Sequence, residues 1–210
     1  MSGNRLLVAI VVTTMVLLAS AQAQKNEFAA GLGRTFIANQ GIKPGPVPIF
    51  DNVVHFGNGL TFELNYSRRI MNAHLFALDG EIPFVGDPNE KLHSGDATVP
   101  SKYSSYFVTP AARLKLFPSA ILQPWISVGG GFGHFHFDKT TNQGLQNTGS
   151  LTKNSGLFQG GIGLDVKTFH KILFRLAARD FMSGSLPLNV DTGKSRQHNI
   201  AVTGGLVFQF

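Results

Sequence analysis

The sequence predicts an all-β fold, an eight-stranded antiparallel up-and-down transmembrane β-barrel. Apolar and polar residues alternate in eight segments, and a period of two is typical of a strand with one face in an apolar medium. Short and long connections alternate between the segments, as they do in membrane barrels. Only 14% of the residues are charged, against about 25% in ordinary soluble domains. The surface of the protein is therefore expected to be poor in charge.

The eight predicted strands follow one another with little else between them. They lie at 26–37, 53–67, 73–85, 103–116, 123–137, 156–167, 172–182 and 198–210. Three connections are short, at 68–72, 117–122 and 168–171, and four are long and polar, at 38–52, 86–102, 138–155 and 183–197. Successive connections of an antiparallel meander lie at opposite ends, so we expect turns at one end and loops at the other.

Residues 1–23 have the pattern of a cleaved signal peptide. A basic residue precedes an apolar run at 6–18, and the tripeptide 21–23 is a small-x-small cleavage site. This run is too short for a membrane anchor, because a spanning helix needs about 20 apolar residues. The sequence therefore predicts export, followed by one barrel domain over residues 24–210.

The composition limits which kinds of molecule this protein is expected to bind. The chain has Cys 0, so an exported fold must be stable without disulfides. The formal net charge is +6, but the cations are scattered and Arg68 and Arg69 are the only adjacent pair. Nucleic-acid sites usually need a denser basic patch. We expect no nucleic-acid partner, and anionic lipopolysaccharide or phospholipid headgroups as the counter-charge.

The two faces of the predicted strands differ in charge. One face is apolar, as at Leu60, Phe62 and Leu64. The opposite face holds four acids and four bases, namely Glu63, Asp79, Glu81, Arg113, Lys115, Asp165, Arg175 and Arg179. In lipid the charged face lies inside, where the charges neutralise one another in pairings that the sequence leaves open. A soluble, lipocalin-like barrel with the apolar face inside is the alternative.

An eight-stranded barrel has an interior that side chains can fill. Gln159 and Trp125 join the charges there, and four glycines should leave room for long Arg side chains, namely Gly129, Gly131, Gly161 and Gly163. Aromatic residues should form interfacial rings at both rims. These are Tyr66, Phe117, Trp125 and Phe169 at the turn end and Phe36, Tyr103, Phe137 and Phe181 at the loop end. We expect a plugged barrel, or at most a narrow gated conduit.

Three stretches, "PWISVGGGFGHF", "FRLAARDF" and "GGLVFQF", together with the loop asymmetry, resemble the small outer-membrane β-barrel family. The similarity is to the OmpA-like and OmpX-like eight-stranded membrane domains, over about 24–210. It implies a location in the bacterial outer membrane. It also implies an assembly signal in the last strand, read by the outer-membrane assembly machinery, with Phe210, Phe208, Leu206 and Val202 on one face and a lapse at Gly204.

Chemical motifs are few. Ser155 with His134 or His136 could form a nucleophile and base for a lipid-modifying enzyme, and the two histidines could share a metal ion. The tripeptide "GKS" at 193–195 has Leu188 where a phosphate loop needs Gly. We expect no catalytic residue, no cofactor, no metal and a monomer. The predicted function is a structural or surface-interaction role through the four loops, with a small-solute pore or an interfacial lipid-modifying enzyme as alternatives.

Overall fold

The computed structural model describes residues 26–44 and 50–210, so the predicted signal peptide at 1–23 lies outside the described residues. In the described part the chain forms strands separated by turns and loops. These strands are β1 (Asn26–Phe36), β2 (Gln40–Gly41), β3 (Val53–Phe56), β4 (Leu60–Asn72), β5 (Phe76–His93), β6 (Lys102–Val108), β7 (Ala111–Leu116), β8 (Leu122–Phe137), β9 (Thr152–Phe169), β10 (Ile172–Gly184) and β11 (Arg196–Gln209). No helix in these two ranges is long and apolar enough to cross a membrane.

The long strands close into a ring. Its order is β1, β4, β5, the pair β6 and β7, β8, β9, β10 and β11, which pairs with β1 again. All neighbours are antiparallel, and β6 and β7 together take one place because the chain is interrupted at Thr109 and Pro110. Proline has no N–H to donate to a ladder, so it breaks a strand at this point. The predicted eight-stranded up-and-down barrel is confirmed.

Two predicted boundaries near the first hairpin are wrong. The predicted strand 53–67 is split into β3 and β4 at residues 57–59, where Asn58 has a φ of 57°. A left-handed residue interrupts a ladder. The predicted turn 68–72 is the end of β4, and the actual turn occupies residues 73–75. Arg69 therefore belongs to a strand.

Three of the four long loops are shorter than predicted, because their flanking strands continue beyond the apolar part of the barrel wall. The first connection instead runs from 37 to 59 and contains the short strands β2 and β3. β5 runs to His93 with a bulge between Asp87 and Glu90, and β9 begins at Thr152. The residues between β8 and β9 are 138–151, and those between β10 and β11 are 185–195. The strands thus carry the four loops away from the barrel's apolar surface.

Outward side chains form an apolar belt around the ring, here called the outward belt. Leu32, Phe132 and Ile162 are 65%, 77% and 62% exposed. Toward the loops the belt ends, on β5 and β6, at the stacked rings of Phe84 and Tyr106, and Phe62 of β4 meets Phe84 edge to face. A surface this apolar is costly in water and stable in lipid.

Candidate functional site in the barrel interior

The half of the interior near the turns holds a network of buried charges. All eight predicted interior charges contribute to it: Glu63, Asp79, Glu81, Arg113, Lys115, Asp165, Arg175 and Arg179. Two residues that sequence reasoning missed, Glu27 and Arg69, complete it. The network then contains five acids and five bases, so it is formally neutral.

Glu27 is the centre of this network. Arg113 Nη2 donates to Glu27 Oε2 at 2.6 Å, and Lys115 Nζ donates to Oε1 at 2.8 Å. Arg175 Nη2 reaches Oε2 at 3.3 Å, and Arg69 Nη2 lies 3.7 Å from Oε1. A single carboxylate therefore contacts four cations. A buried charge is stable only when it is paired and hydrogen-bonded in this way.

Arg179 holds the other part of the network together. Its Nε donates to Glu63 Oε1 at 2.9 Å and its Nη1 donates to Glu81 Oε1 at 2.7 Å. Arg113 Nη1 lies 3.4 Å from Glu81 Oε2, which links this part to Glu27. Thr203 Oγ1 donates to Glu63 at 2.6 Å. The hydrogen bonds of Arg179 thus join β10 to β4 and β5, on the other side of the ring.

The two missed residues carried a usable signal. Glu27 precedes Phe28 in β1 and faces inward by the same alternation that places Phe28 outside. Arg69 pairs with Asp79 across β4 and β5, where its Nε donates to Asp79 Oδ1 at 2.7 Å. The predicted short connection "RRIMN" includes it, so the predicted strand ends at residue 67. Extending the period of two by two residues would have placed it inside.

Trp125 lies in the interior among the arginines, and its predicted place in a rim ring is wrong. Its Nε1 donates to Asp165 Oδ1 at 3.1 Å. The guanidinium carbons of Arg113, Arg175 and Arg179 lie 5.8, 5.3 and 5.0 Å from its ring centroid. Cations over an aromatic face are attracted by its quadrupole. The indole therefore serves as a packing surface for three charged groups.

The four interior glycines do not serve one purpose. A Cβ at Gly163 would overlap the Trp125 indole. One at Gly161 would lie 2.7 Å from Ser127 Oγ, 2.8 Å from Gln159 Nε2 and 3.3 Å from Arg179 Cγ. A Cβ at Gly129 or Gly131 would meet the backbone around the break between β6 and β7. The prediction that all four make room for arginines is therefore right only for Gly161.

The half of the interior near the loops holds a cluster of buried aromatic side chains. Tyr103, Phe137 and Phe181, predicted in the outer ring at this rim, are buried inside. Phe107 and Phe181 stack at 4.8 Å between centroids, and Phe107 and Phe135 meet edge to face at 5.7 Å. Such pairs add to burial. This cluster, here called the aromatic plug, closes the barrel above the charges.

The long connections pack onto the aromatic plug. Ile42, Val99 and Leu188 come from three different connections and are buried in the same core cluster. Across the loops, Asn189 Nδ2 donates to Thr98 O at 2.9 Å and to Asn147 Oδ1 at 2.8 Å. The loops therefore form a packed cap rather than separate tails.

Glu90 of β5 binds the backbone of residues 57–59, and the Asp87 carboxyl lies beside it. Glu90 Oε1 accepts the N–H of Gly57 and Oε2 accepts the N–H of Gly59, each at 2.6 Å. In the ladder between β5 and β6, Asp87 lies opposite Ser105. This is one residue closer to the loops than Tyr106, where the outward belt ends on this wall. Burial and the neighbouring Glu90 carboxylate raise the pKa of Asp87 from 3.8 to about 7, despite a hydrogen bond from the Asn89 N–H.

The Asp87 carboxyl should make this attachment sensitive to pH. Because its folded pKa exceeds the unfolded value, the folded state binds more protons between pH 3.8 and about 7. The free energy of unfolding should therefore fall as the pH rises through this window. We expect protection factors of the Gly57 and Gly59 amides in hydrogen exchange to be lower at pH 8 than at pH 5, and Asp87→Asn to remove most of the difference. An unchanged difference in Asp87→Asn would contradict this assignment.

The candidate enzyme residues are not brought together. His134 and His136 are outward and exposed, whereas Ser155 lies on the inward face, where its Oγ accepts the N–H of Gly184 at 3.2 Å. His134 Nδ1 instead forms a 2.7 Å hydrogen bond with Asn154 Oδ1. The wall of the barrel separates the hydroxyl from both imidazoles. A Ser155 nucleophile with either histidine as its base is not supported.

The two remaining motifs are the histidine pair, as metal ligands, and the "GKS" tripeptide, as a phosphate loop. Within residues 26–44 and 50–210, no group of three or more His, Cys, Asp or Glu side chains is placed to hold a metal ion. The "GKS" tripeptide lies in the loop 185–195 and leads into β11, not into a helix. That context differs from a phosphate loop.

The predicted assembly-signal residues lie outward on the last strand. Phe210, Phe208, Leu206 and Val202 are all exposed, and the rings of Phe208 and Phe210 stack at 5.9 Å. Gly204, between them, pairs with Leu32 on β1 and Leu176 on β10. The side chains of Leu176 and Phe174 lie 3.5 and 3.8 Å from the place of a Cβ on Gly204 and cover the gap in the apolar row.

Solved structures with this fold are small outer-membrane barrels. OprG of Pseudomonas aeruginosa has a TM-score of 0.56 at 12% identity, over 90% of this chain and 96% of that chain. Ail, the attachment invasion locus protein of Yersinia pestis, has a TM-score of 0.52 at 13% identity, over 89% and 98%. The outer membrane enzyme PagL also matches, but its TM-score of 0.42 carries no argument.

No family model and no curated protein sequence matches the chain. The identities to the solved structures show a shared fold and nothing finer. The fold is that of the eight-stranded outer-membrane β-barrels, and it agrees with the predicted resemblance to OmpA-like and OmpX-like domains.

Proposed function

We propose that this protein is an integral protein of the bacterial outer membrane with a structural or surface-interaction role. One observation carries the proposal: a closed ring with an apolar outward belt surrounds an interior that is filled from the turns to the loops. Closure satisfies the backbone groups in lipid. The neighbouring partners are then outer-membrane lipids and lipopolysaccharide.

The filled interior favours a closed barrel over the small-solute pore. Arg113 and Arg179 are fully buried beside Trp125, and the aromatic plug lies above them. A conduit would require both layers to move. The test is conductance of the purified protein in planar bilayers, with insertion verified by heat-shifted gel mobility and a pore-forming porin as positive control. We expect no current steps from inserted protein, and regular steps would overturn the closed barrel.

The loops support the surface-interaction role. They are packed into a cap, yet they leave large apolar side chains exposed, including Phe50 and Leu145. A rigid cap with exposed apolar residues presents a defined surface at low entropic cost. The lipid-modifying enzyme has no comparable observation in its favour. We propose a non-catalytic, monomeric protein without cofactor or nucleic-acid partner, and a lipid-hydrolysis assay of the inserted protein should show no activity.

The outward face of β11 is proposed as the signal for the assembly machinery. An unpaired last strand can be recognised by strand addition, with alternate pockets for alternate side chains. Phe210→Ala should lower the yield of folded, membrane-inserted protein in cells, as measured by heat-shifted mobility. The control is Phe169→Ala, another exposed aromatic residue at the same end of the barrel. Equal yields for the two variants would remove the proposed signal.

A further inference from the structure

A basic cleft opens on the outer wall at the loop ends of β5, β6 and β8. Its volume is about 320 Å³, and its lining includes Lys102, Ser104, His136, Asp138 and Lys139. Its lining also includes Pro88 and, from the aromatic plug, Tyr103. It faces away from the barrel axis, because its exposed side chains are outward members of their strands.

Strand register brings the polar groups of this basic cleft together. Ser104 pairs with His136, and one row closer to the turns Tyr106 pairs with His134. Tyr106 is the last aromatic residue of the outward belt on this wall. The basic cleft therefore begins one row above the apolar surface, at the level where a lipid's headgroup would lie.

The charges around the basic cleft are poorly compensated by the protein. Lys91 and Lys102 are direct cross-strand partners on the same wall, and like charges in that position repel. Among residues 26–44 and 50–210, no carboxylate lies within 4.0 Å of the Lys91 or Lys139 ammonium group, and Asp138 is 4.0 Å from Lys102. An external anion would relieve this repulsion.

Asp138 is already engaged by other donors. Its Oδ2 accepts from Ser101 Oγ at 3.1 Å. Burial acts to raise the pKa of Asp138, but that bond, the N–H groups of Lys139 and Thr140 and the Lys102 charge together outweigh it and lower the pKa. The charges of Asp138 and of the buried Glu90 offset two of the three lysines Lys91, Lys102 and Lys139. The raised pKa of Asp87 keeps that carboxyl partly protonated, so the wall retains a small net positive charge.

We propose that the basic cleft binds the phosphate group of an outer-leaflet lipid headgroup. The ammonium groups of Lys102 and Lys139 supply charge-assisted donors, with the Ser104 hydroxyl and His136 imidazole beside them. The acyl chains then run down the outward belt past Tyr106 and Phe132. This inference rests on the proposed membrane location.

Native mass spectrometry of the detergent-purified protein tests this binding. The probes are bisphosphorylated lipid A, the same lipid without phosphates, and inorganic phosphate as competitor. The test variant carries Lys102→Ala with Lys139→Ala, and the matched control carries Lys167→Ala with Lys171→Ala near the turns. We expect the test variant to retain about tenfold less bisphosphorylated lipid A than the parent, and the control to retain as much as the parent.

Three results would overturn the lipid-phosphate site. They are equal retention by the test variant and the parent, equal retention of the phosphate-free lipid, and displacement of the lipid by inorganic phosphate at the same concentration. Heat-shifted mobility of each sample in bilayers is measured separately. Loss of insertion would count against the proposed function, whereas normal insertion without selective retention would count against the basic cleft alone.

Discussion

Replacing Glu27 with Gln should lower the free energy of unfolding by roughly 3 to 5 kcal/mol, the usual effect of breaking a buried ion pair. The amide keeps the shape of the side chain but removes the charge that contacts Arg113, Lys115 and Arg175. These cations remain buried with fewer partners. Urea unfolding of the refolded protein in bilayers, followed by the fluorescence of Trp125, measures the loss.

A second substitution separates charge from packing. Lys115 is buried and contacts both Glu27 and Asp165. Adding Lys115→Met to Glu27→Gln restores neutrality of the network and should recover part of the lost stability. Asp191→Asn is the control, since this acid is exposed and pairs with Lys43 at the surface. Full stability in Glu27→Gln, or no recovery in the double variant, would contradict the role given to Glu27.

Placing a charge on the outward belt should have the second largest effect. Ile162 lies opposite Ile126 and Ala178 in the middle of the belt. Ile162→Arg should cost about 2 to 4 kcal/mol near the bilayer midplane, because the guanidinium loses water there. The same unfolding measurement in bilayers gives the difference between variant and parent.

The matched control for this charge is Leu145→Arg. Leu145 is an exposed apolar residue in the loop 138–151, away from the belt. We expect this variant to unfold at nearly the parent's urea concentration. If Ile162→Arg is as stable as Leu145→Arg, the belt does not contact lipid. The soluble barrel, in which the apolar face lies inside, then becomes the better interpretation.

The period of two made most of this fold predictable. It assigned Asp165 and Arg175 to the same interior face, and the structure places them 2.7 Å apart. It could not give contacts across the barrel, such as that between Glu27 and Arg175 at 148 residues' separation. Those contacts depend on ring closure and strand tilt, which a single strand's pattern does not contain.

The aromatic plug was missed for a different reason. Tyr103, Phe137 and Phe181 were assigned to the rim by residue type, although their odd positions place them on the inward face. Aromatic type and strand parity conflicted, and parity was correct because a strand cannot reverse its faces without a bulge. Leu188 and Val99 have no such signal, since loops pack without a period.

The most direct test of a lipid-embedded barrel is site-directed spin labelling along β11. The chain has Cys 0, so single cysteines can be introduced without removing any. In bilayers, labels at Val202, Leu206 and Phe208 should be more accessible to oxygen than to a water-soluble nickel complex, and labels at Thr203 and Val207 should be reached poorly by both. Access of the nickel complex to the first three positions, or oxygen access without alternation, would contradict the account.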